Sequence, residues 1–135
     1  MDFYKNMFEI AMGTSGIATK DPRFRDKLSR VEIELDALEI TSMRFLDKMR
    51  RSGQPPGADV SMLKIRGTEV QQAITELMMQ AVGPMAQPFK AVDSGSIDHF
   101  TSRLAPRYFN YRKASIYAGS NEIQRNIIAK ASLGL

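Results

Sequence analysis

The chain has 135 residues, of which 43% are hydrophobic and 25% charged, a length and composition that suit one globular domain with a real core. It has no cysteine, which excludes a disulfide framework, a thiolate metal site and a cysteine nucleophile, and is compatible with the cytoplasmic location expected here. The net charge of +4 comes from Lys and Arg interleaved with Asp and Glu, a solvated surface and not a nucleic-acid stripe, and no apolar run approaches the roughly 20 residues that span a bilayer.

Residues 2–17 carry Phe3, Met7, Ile10 and Ile17, a helical spacing that fades at Gly13 and Gly16. No capping residue precedes it, so the chain is expected to be a piece of something longer. Asp21-Pro22 is then a helix start with a mechanism: the aspartate accepts from a free N–H, and the missing proline N–H costs nothing at the first position. Phe24, Leu28, Val31, Leu35, Leu38, Ser42, Phe45 and Met49 recur at steps of four and three residues, predicting one long helix to about Arg51. Ile33, Ala37 and Ile40 widen the stripe, so this helix is expected to touch more than one neighbour. The acidic run Glu32, Glu34, Asp36 and Glu39 reads as solvated, paired with Arg or Lys one turn away. SGQPPG, residues 52–57, breaks the helix.

A further helix is predicted from about Asp59 to Val82, with Val60, Leu63, Gly67, Val70, Ile74, Leu77 and Ala81 along its seam. Gly67 there lowers helix propensity by about 1 kcal/mol relative to alanine, for which close approach of another backbone would compensate. Met62, Met78 and Met79 read as core filler. Gly83-Pro84 ends the helix and residues 86–96 read as a loop. Pro106 marks the start of a last long helix, running through Tyr108, Phe109, Tyr111 and Arg112 to Ile116. No strand pattern occurs. The expected fold is all-α, an up-down-up-down four-helix bundle with a short extra C-terminal helix, in a single domain over residues 1–135.

The stretch whose residue types ask for more than packing is Ser115 to Lys130, SIYAGSNEIQRNIIAK. Ala118-Gly119 makes a tight turn, Ser120 or Asn121 can cap a new helix, and Asn121 with Gln124 is a capping-box variant. Glu122 sits where the helix dipole favours an anion, and Ile123, Ile127 and Ile128 give one apolar face. Other chemistry is absent from the pattern. His99 is the single histidine and has no partner at ligand spacing, so no metal is expected. Ser115 and Ser120 have no evident base and read as helix-end hydroxyls.

Tyr117 to Lys130, YAGSNEIQRNIIAK, resembles the C-terminal signature of acyl-CoA dehydrogenases: tyrosine, a base position, glycine, serine or threonine, two variable residues, then IQR and an apolar helix. SMLKIRGTEVQQAITELMMQAVG is similar to the family's helix that ends in a glutamine and a glycine turn, and DPRFRDKLSRVEIELDALEI to the long helix before it. The resemblance implies the C-terminal helical domain of a longer FAD-dependent enzyme that introduces an α,β double bond into an acyl-CoA thioester, with the N-terminal helical and middle β domains absent here. It implies FAD contacts for Ser120 and Glu122, and for Gln80 and Gly83 an approach to the FAD pyrophosphate of a neighbouring subunit. It also implies an acyl-CoA substrate, an electron-transfer acceptor protein, and a homo- or hetero-oligomer. Pro84 stands where the family usually has a second glycine, and the RxxFG arginine motif is not visible. Ala118 occupies the position of the family's catalytic glutamate, so the isolated chain is expected to be inactive, with its base upstream of Met1. The alternatives are a non-catalytic partner subunit of a heteromeric dehydrogenase, or a free-standing helical interaction module.

Overall fold

The computed structural model describes residues 20–54, 57–87 and 101–134. Among them the chain is all-α: α1 (Pro22–Ser52), α2 (Val60–Val82), α3 (Leu104–Tyr111) and α4 (Asn121–Leu133), with 3-10 turns at Gly83–Ala86 and Arg112–Ser115 and no strand. The helix expected over residues 2–17, His99 and most of the loop expected over residues 86–96 lie outside the described residues.

Local chemistry sets the ends of α1. The Asp21 carboxylate accepts from the Arg23 N–H at 2.9 Å, Pro22 takes the first helical position, and Gly53 closes the helix at φ 61 with its N–H on the Met49 carbonyl. Arg50 and Arg51 occupy the last turn, where the helix dipole favours cations. Cross-links between α1 and α2 show that the two run antiparallel: Lys27 reaches Gln80, Glu34 pairs with Arg66, and Lys48 reaches Asp59. Partners climb one helix as they descend the other.

The second helix is the hub. It packs against α1, α3 and α4 and buries Ile65, Val70, Ile74, Leu77, Met78 and Ala81. Phe24 and Leu35 from α1, Ala86 and Leu104 complete the core cluster. At about 1.5–3 kcal/mol for each large side chain taken out of water, this cluster is the main favourable contribution to folding. Met78 is core, 1% exposed, whereas Met62 is 42% exposed and is not; it lies in the first turn of α2, off the seam.

Three expectations change. The last helix is not long: α3 has eight residues, begins at Leu104 and gives way to the 3-10 turn Arg112–Ser115. Pro106 is accommodated at the third helical position, where an N–H has no intrahelical acceptor anyway. The carbonyls of Tyr111 and Arg112 are taken by the Gln72 side chain of α2, and the final turn tightens accordingly. Gly67 is not approached by another backbone; the nearest group to a Cβ built there is the Leu38 side chain, at an ordinary 3.9 Å. Glu34 pairs across the helix interface with Arg66 and not with a residue of its own helix. Ile33 and Ile40 are 68% and 60% exposed, so among the described residues nothing covers that flank of α1.

Candidate functional site: the turn before the last helix

Between the 3-10 turn and α4 the chain reverses over Ile116 to Ser120. The N–H groups of Ile116 and Tyr117 both donate to the Lys113 carbonyl. Ala118 then adopts φ 54 and Gly119 φ 85. Two consecutive left-handed residues turn the backbone sharply; for Ala118 this conformation is strained by roughly 1–2 kcal/mol. Ser120 returns to extended geometry and caps α4, its hydroxyl accepting from the Ile123 N–H at 3.4 Å.

Ser120 is thus the N-cap, and the capping box from Asn121 to Gln124 does not form. Asn121 is the first helical residue and is buried, 5% exposed. Its Oδ1 accepts from the Lys64 ammonium at 2.8 Å and its Nδ2 donates to the Thr68 hydroxyl at 3.1 Å. A buried amide needs such partners, and α2 supplies both. Lys64 and Thr68 escaped the sequence reading; the available signal was their i, i+4 spacing beside the Gly67 seam.

Glu122 projects into solvent, with Arg125 at 3.5 Å. Its own backbone N–H, then the Ser120 hydroxyl, hold its carboxyl below the usual glutamate range, and the charges of Arg125 and Lys64 act in the same direction. The carboxylate is therefore ionised, exposed and available as an acceptor. Arg125 continues to Glu69, Glu69 to Arg66 and Arg66 to Glu34, an ion-pair chain that ties α4, α2 and α1 together. Ile123 and Ile127 are 52% and 41% exposed and Ile128 is half-buried, so most of the predicted apolar face of α4 points outward while Asn121 faces α2.

The turn also borders an open cavity of about 350 Å³. Leu35 and Leu38 of α1, Leu63, Gly67 and Ile74 of α2, and Tyr117 and Ala118 of the turn contribute to its wall, and Lys64 is the one charged residue in its described lining. That volume lies in the range of small-molecule sites. Ser115 is a helix-end hydroxyl, donating to the Arg112 carbonyl and accepting from Gln72.

Gln80 and Gly83 stand elsewhere. The Gln80 side chain accepts from Lys27 and donates to Glu76; Gly83 caps α2 at φ 66 and ψ −142, with no atom within 4 Å of a Cβ built there. Asn121 contacts α2 at Lys64 and Thr68, so at a rise of 1.5 Å per residue Gln80 lies roughly 20 Å away along the helix. One copy of the chain therefore does not bring Gln80 and Gly83 to Ser120 and Glu122. Among the described residues no group of three or more His, Cys, Asp or Glu side chains can hold a metal ion, and no helix is long and apolar enough to cross a membrane.

The model of the family "Acyl-CoA dehydrogenase, C-terminal domain" matches residues 8–133. Acyl-CoA dehydrogenase IpdE1 of Mycobacterium tuberculosis is 33% identical over 130 residues, 96% of this chain and 31% of that protein. The protein of the same name from Mycolicibacterium smegmatis is 31% identical over 132 residues, 98% of this chain and 30% of the relative. The chain thus spans about a third of the length of the curated relatives it matches. Among solved structures, the Tcur3481-Tcur3483 steroid ACAD superposes with a TM-score of 0.75 over 98% of this chain and 34% of its own, at 18% identity, a likeness of fold. With the all-α architecture and the Tyr117–Lys130 signature on its turn, this chain belongs to the acyl-CoA dehydrogenase family and corresponds to its C-terminal domain.

Proposed function

We propose that the chain acts as the C-terminal helical unit of an FAD-dependent acyl-CoA dehydrogenase, working with N-terminal helical and middle β domains that it does not itself contain. The observation that carries this reading is the left-handed Ala118-Gly119 turn, which sets Ser120 and the ionised Glu122 at the head of α4 beside an apolar cavity. The donor set fits a flavin nucleotide: Glu122 is an exposed acceptor suited to ribityl or ribose hydroxyls, Ser120 adds a hydroxyl, and the open backbone at Gly83 leaves room for a pyrophosphate. Pro84 removes one N–H from that end. The family resemblance assigns Gln80 and Gly83 to the FAD of a neighbouring subunit, and their separation of roughly 20 Å from Asn121 along α2 is compatible with that; the working form is then a homo- or hetero-oligomer. The exposed Ile33 and Ile40 of α1 and Ile123 and Ile127 of α4 supply apolar surface for such contacts and for the missing domains.

In this unit the chain binds and shapes, and another part of the enzyme takes the proton. FAD supplies a hydride acceptor, reoxidised by an electron-transfer protein. The cavity wall holds apolar substrate surface away from water, while Ala118, at the family's base position, has no group to accept the α-proton of an acyl-CoA. The described lining of the cavity contains no carboxylate; in this reading the base comes from another part of the enzyme, and the chain alone is inactive. The test is acyl-CoA oxidation by the intact parent protein with an artificial electron acceptor. Turnover with stoichiometric flavin is expected; an intact protein without flavin sinks the reading. The isolated chain is expected to bind FAD weakly, and tight stoichiometric binding in a titration would contradict the division of labour.

Ala118 also favours a second reading, a non-catalytic partner subunit in a heteromeric dehydrogenase. The residue at the upstream base position decides between them: a carboxylate there supports the catalytic chain, and any other residue supports the partner role.

A further inference from the structure

Lys64 stands where the cavity, α2 and the start of α4 meet. Its ammonium donates one hydrogen bond, to Asn121 Oδ1 at 2.8 Å, and no carboxylate lies within ion-pair distance of it among the described residues. A half-buried lysine that spends its bond on a buried amide contributes less through charge pairing than through geometry: it decides where Asn121 sits. Asn121 follows Ser120 directly, and Ser120 caps α4 through the Ile123 N–H while its carbonyl receives the Gln124 N–H at 3.0 Å. Fixing Asn121 therefore fixes the two residues on either side of it, Ser120 and Glu122. The strained Ala118 and the flexible Gly119 cannot hold this register by themselves, because a tight turn built from left-handed residues has close alternatives. Thr68 completes the cluster by accepting from Asn121 Nδ2, and the Lys64 charge also favours the ionised form of Glu122.

We infer that Lys64 is the positioning residue of the Ala118–Glu122 turn, acting through Asn121 to set the cavity wall and the head of α4 against α2. Its consequence for flavin binding rests on the function proposed above; its consequence for the turn does not.

Two variants separate the alternatives. Lys64→Met keeps the aliphatic stem and removes the donor; Lys64→Arg keeps a donor. In amide-resolved hydrogen exchange on this chain, Lys64→Met is expected to lower protection at Ile123 and Gln124 by on the order of tenfold or more, the effect of losing a charge-assisted hydrogen bond. The α2 amides from Ile74 to Met78 should keep theirs, and Lys64→Arg should restore most of the loss. Unchanged exchange at Ile123 and Gln124 in Lys64→Met overturns the inference. Loss spread evenly through α2, or failure of Lys64→Met to fold, also overturns it, since Lys64 would then be a general structural residue. In the assembled flavoprotein Lys64→Met should weaken FAD binding on the order of tenfold. If the turn loosens while FAD affinity stays the same, the positioning role stands and the flavin reading of this turn fails.

Discussion

Gln72 and Arg112 hold one another reciprocally: the Gln72 side-chain amide donates to the Arg112 carbonyl at 3.2 Å, and the Arg112 guanidinium donates to the Gln72 carbonyl at 2.8 Å. The same guanidinium reaches the Thr75 hydroxyl and lies 4.3 Å from the centre of the Tyr108 ring. Its Nε is buried without a partner, so the clasp has no spare satisfaction to lose. It joins α2 to the 3-10 turn that leads into the Ala118-Gly119 reversal, and its strength bears directly on where that reversal sits.

Arg112→Met is accordingly expected to destabilise the chain by about 2–3 kcal/mol, from a charge-assisted bond with a cation–π contact beside it. Gln72→Ala should lose about 1–2 kcal/mol, leaving the Tyr111 and Arg112 carbonyls short of a donor. The double variant should lose about the sum, since each side chain bonds the other's main-chain carbonyl, which survives both substitutions. Urea unfolding of the four proteins measures this; a loss well below the sum would show that either change alone opens the clasp.

Ser120→Ala tests the head of α4. Loss of the cap should lower stability by about 1 kcal/mol. Glu122 gives a second readout, because the Ser120 hydroxyl follows its own backbone N–H among the causes that lower its pKa. A lowered folded-state pKa means stability that is fully present above the ordinary glutamate value near 4.5 and is lost as pH falls through the folded value. In Ser120→Ala the Glu122 midpoint, followed by carboxyl NMR, should move up toward the ordinary value and the acid-side loss should shrink. A midpoint that does not respond would assign the shift to the backbone N–H and to charge alone.

Helix ends were legible in the sequence where their chemistry is local. Asp21-Pro22, Gly53 and Gly83 act on groups within about a turn, and the structure places α1 and α2 as the pattern predicts. The register at α4 was not legible, because Ser120 and Asn121 are both cap-type residues and local rules do not choose between them. The choice is made by Lys64 and Thr68, which are 57 and 53 residues away in sequence. The length of α3 is likewise set from α2, by Gln72. The apolar stripe of Ile123 and Ile127 was visible as amphipathicity, but a stripe does not say whether its partner lies within the same chain. The signature of the turn was readable from residue types, whereas the separation of Gln80 and Gly83 from it needed the helix between them in three dimensions.

The ion-pair chain from Glu34 through Arg66, Glu69 and Arg125 to Glu122 is solvent-exposed along its length. Exposed pairs contribute little singly, so Glu69→Gln, which breaks the two central links, should lower stability by no more than about 1 kcal/mol at low salt. Raising ionic strength should erase most of the difference from the parent protein. A loss that persists at high salt would mean that Glu69 contributes through packing instead.

Gly67 and Gly119 look alike in sequence and should respond oppositely to alanine. At Gly67 the backbone is helical and a Cβ would meet only Leu38 Cδ2, at 3.9 Å. Gly67→Ala should therefore recover up to about 1 kcal/mol of helix propensity without strain, while narrowing the cavity that Gly67 lines. At Gly119 the backbone sits at φ 85 and a Cβ would lie 2.8 Å from Gln124 Nε2. That side-chain tip can swing away, but the left-handed conformation cannot be relieved, so Gly119→Ala should lose roughly 1–2 kcal/mol. Thermal unfolding should show a higher midpoint for Gly67→Ala and a lower one for Gly119→Ala. If Gly67→Ala is stabilised and yet, in the enzyme proposed above, works less well on bulky apolar acyl groups, the glycine is retained for the space it leaves and not for the packing of α1 on α2. A destabilised Gly67→Ala would reverse that conclusion, because it would reveal a steric need for glycine at the helix interface.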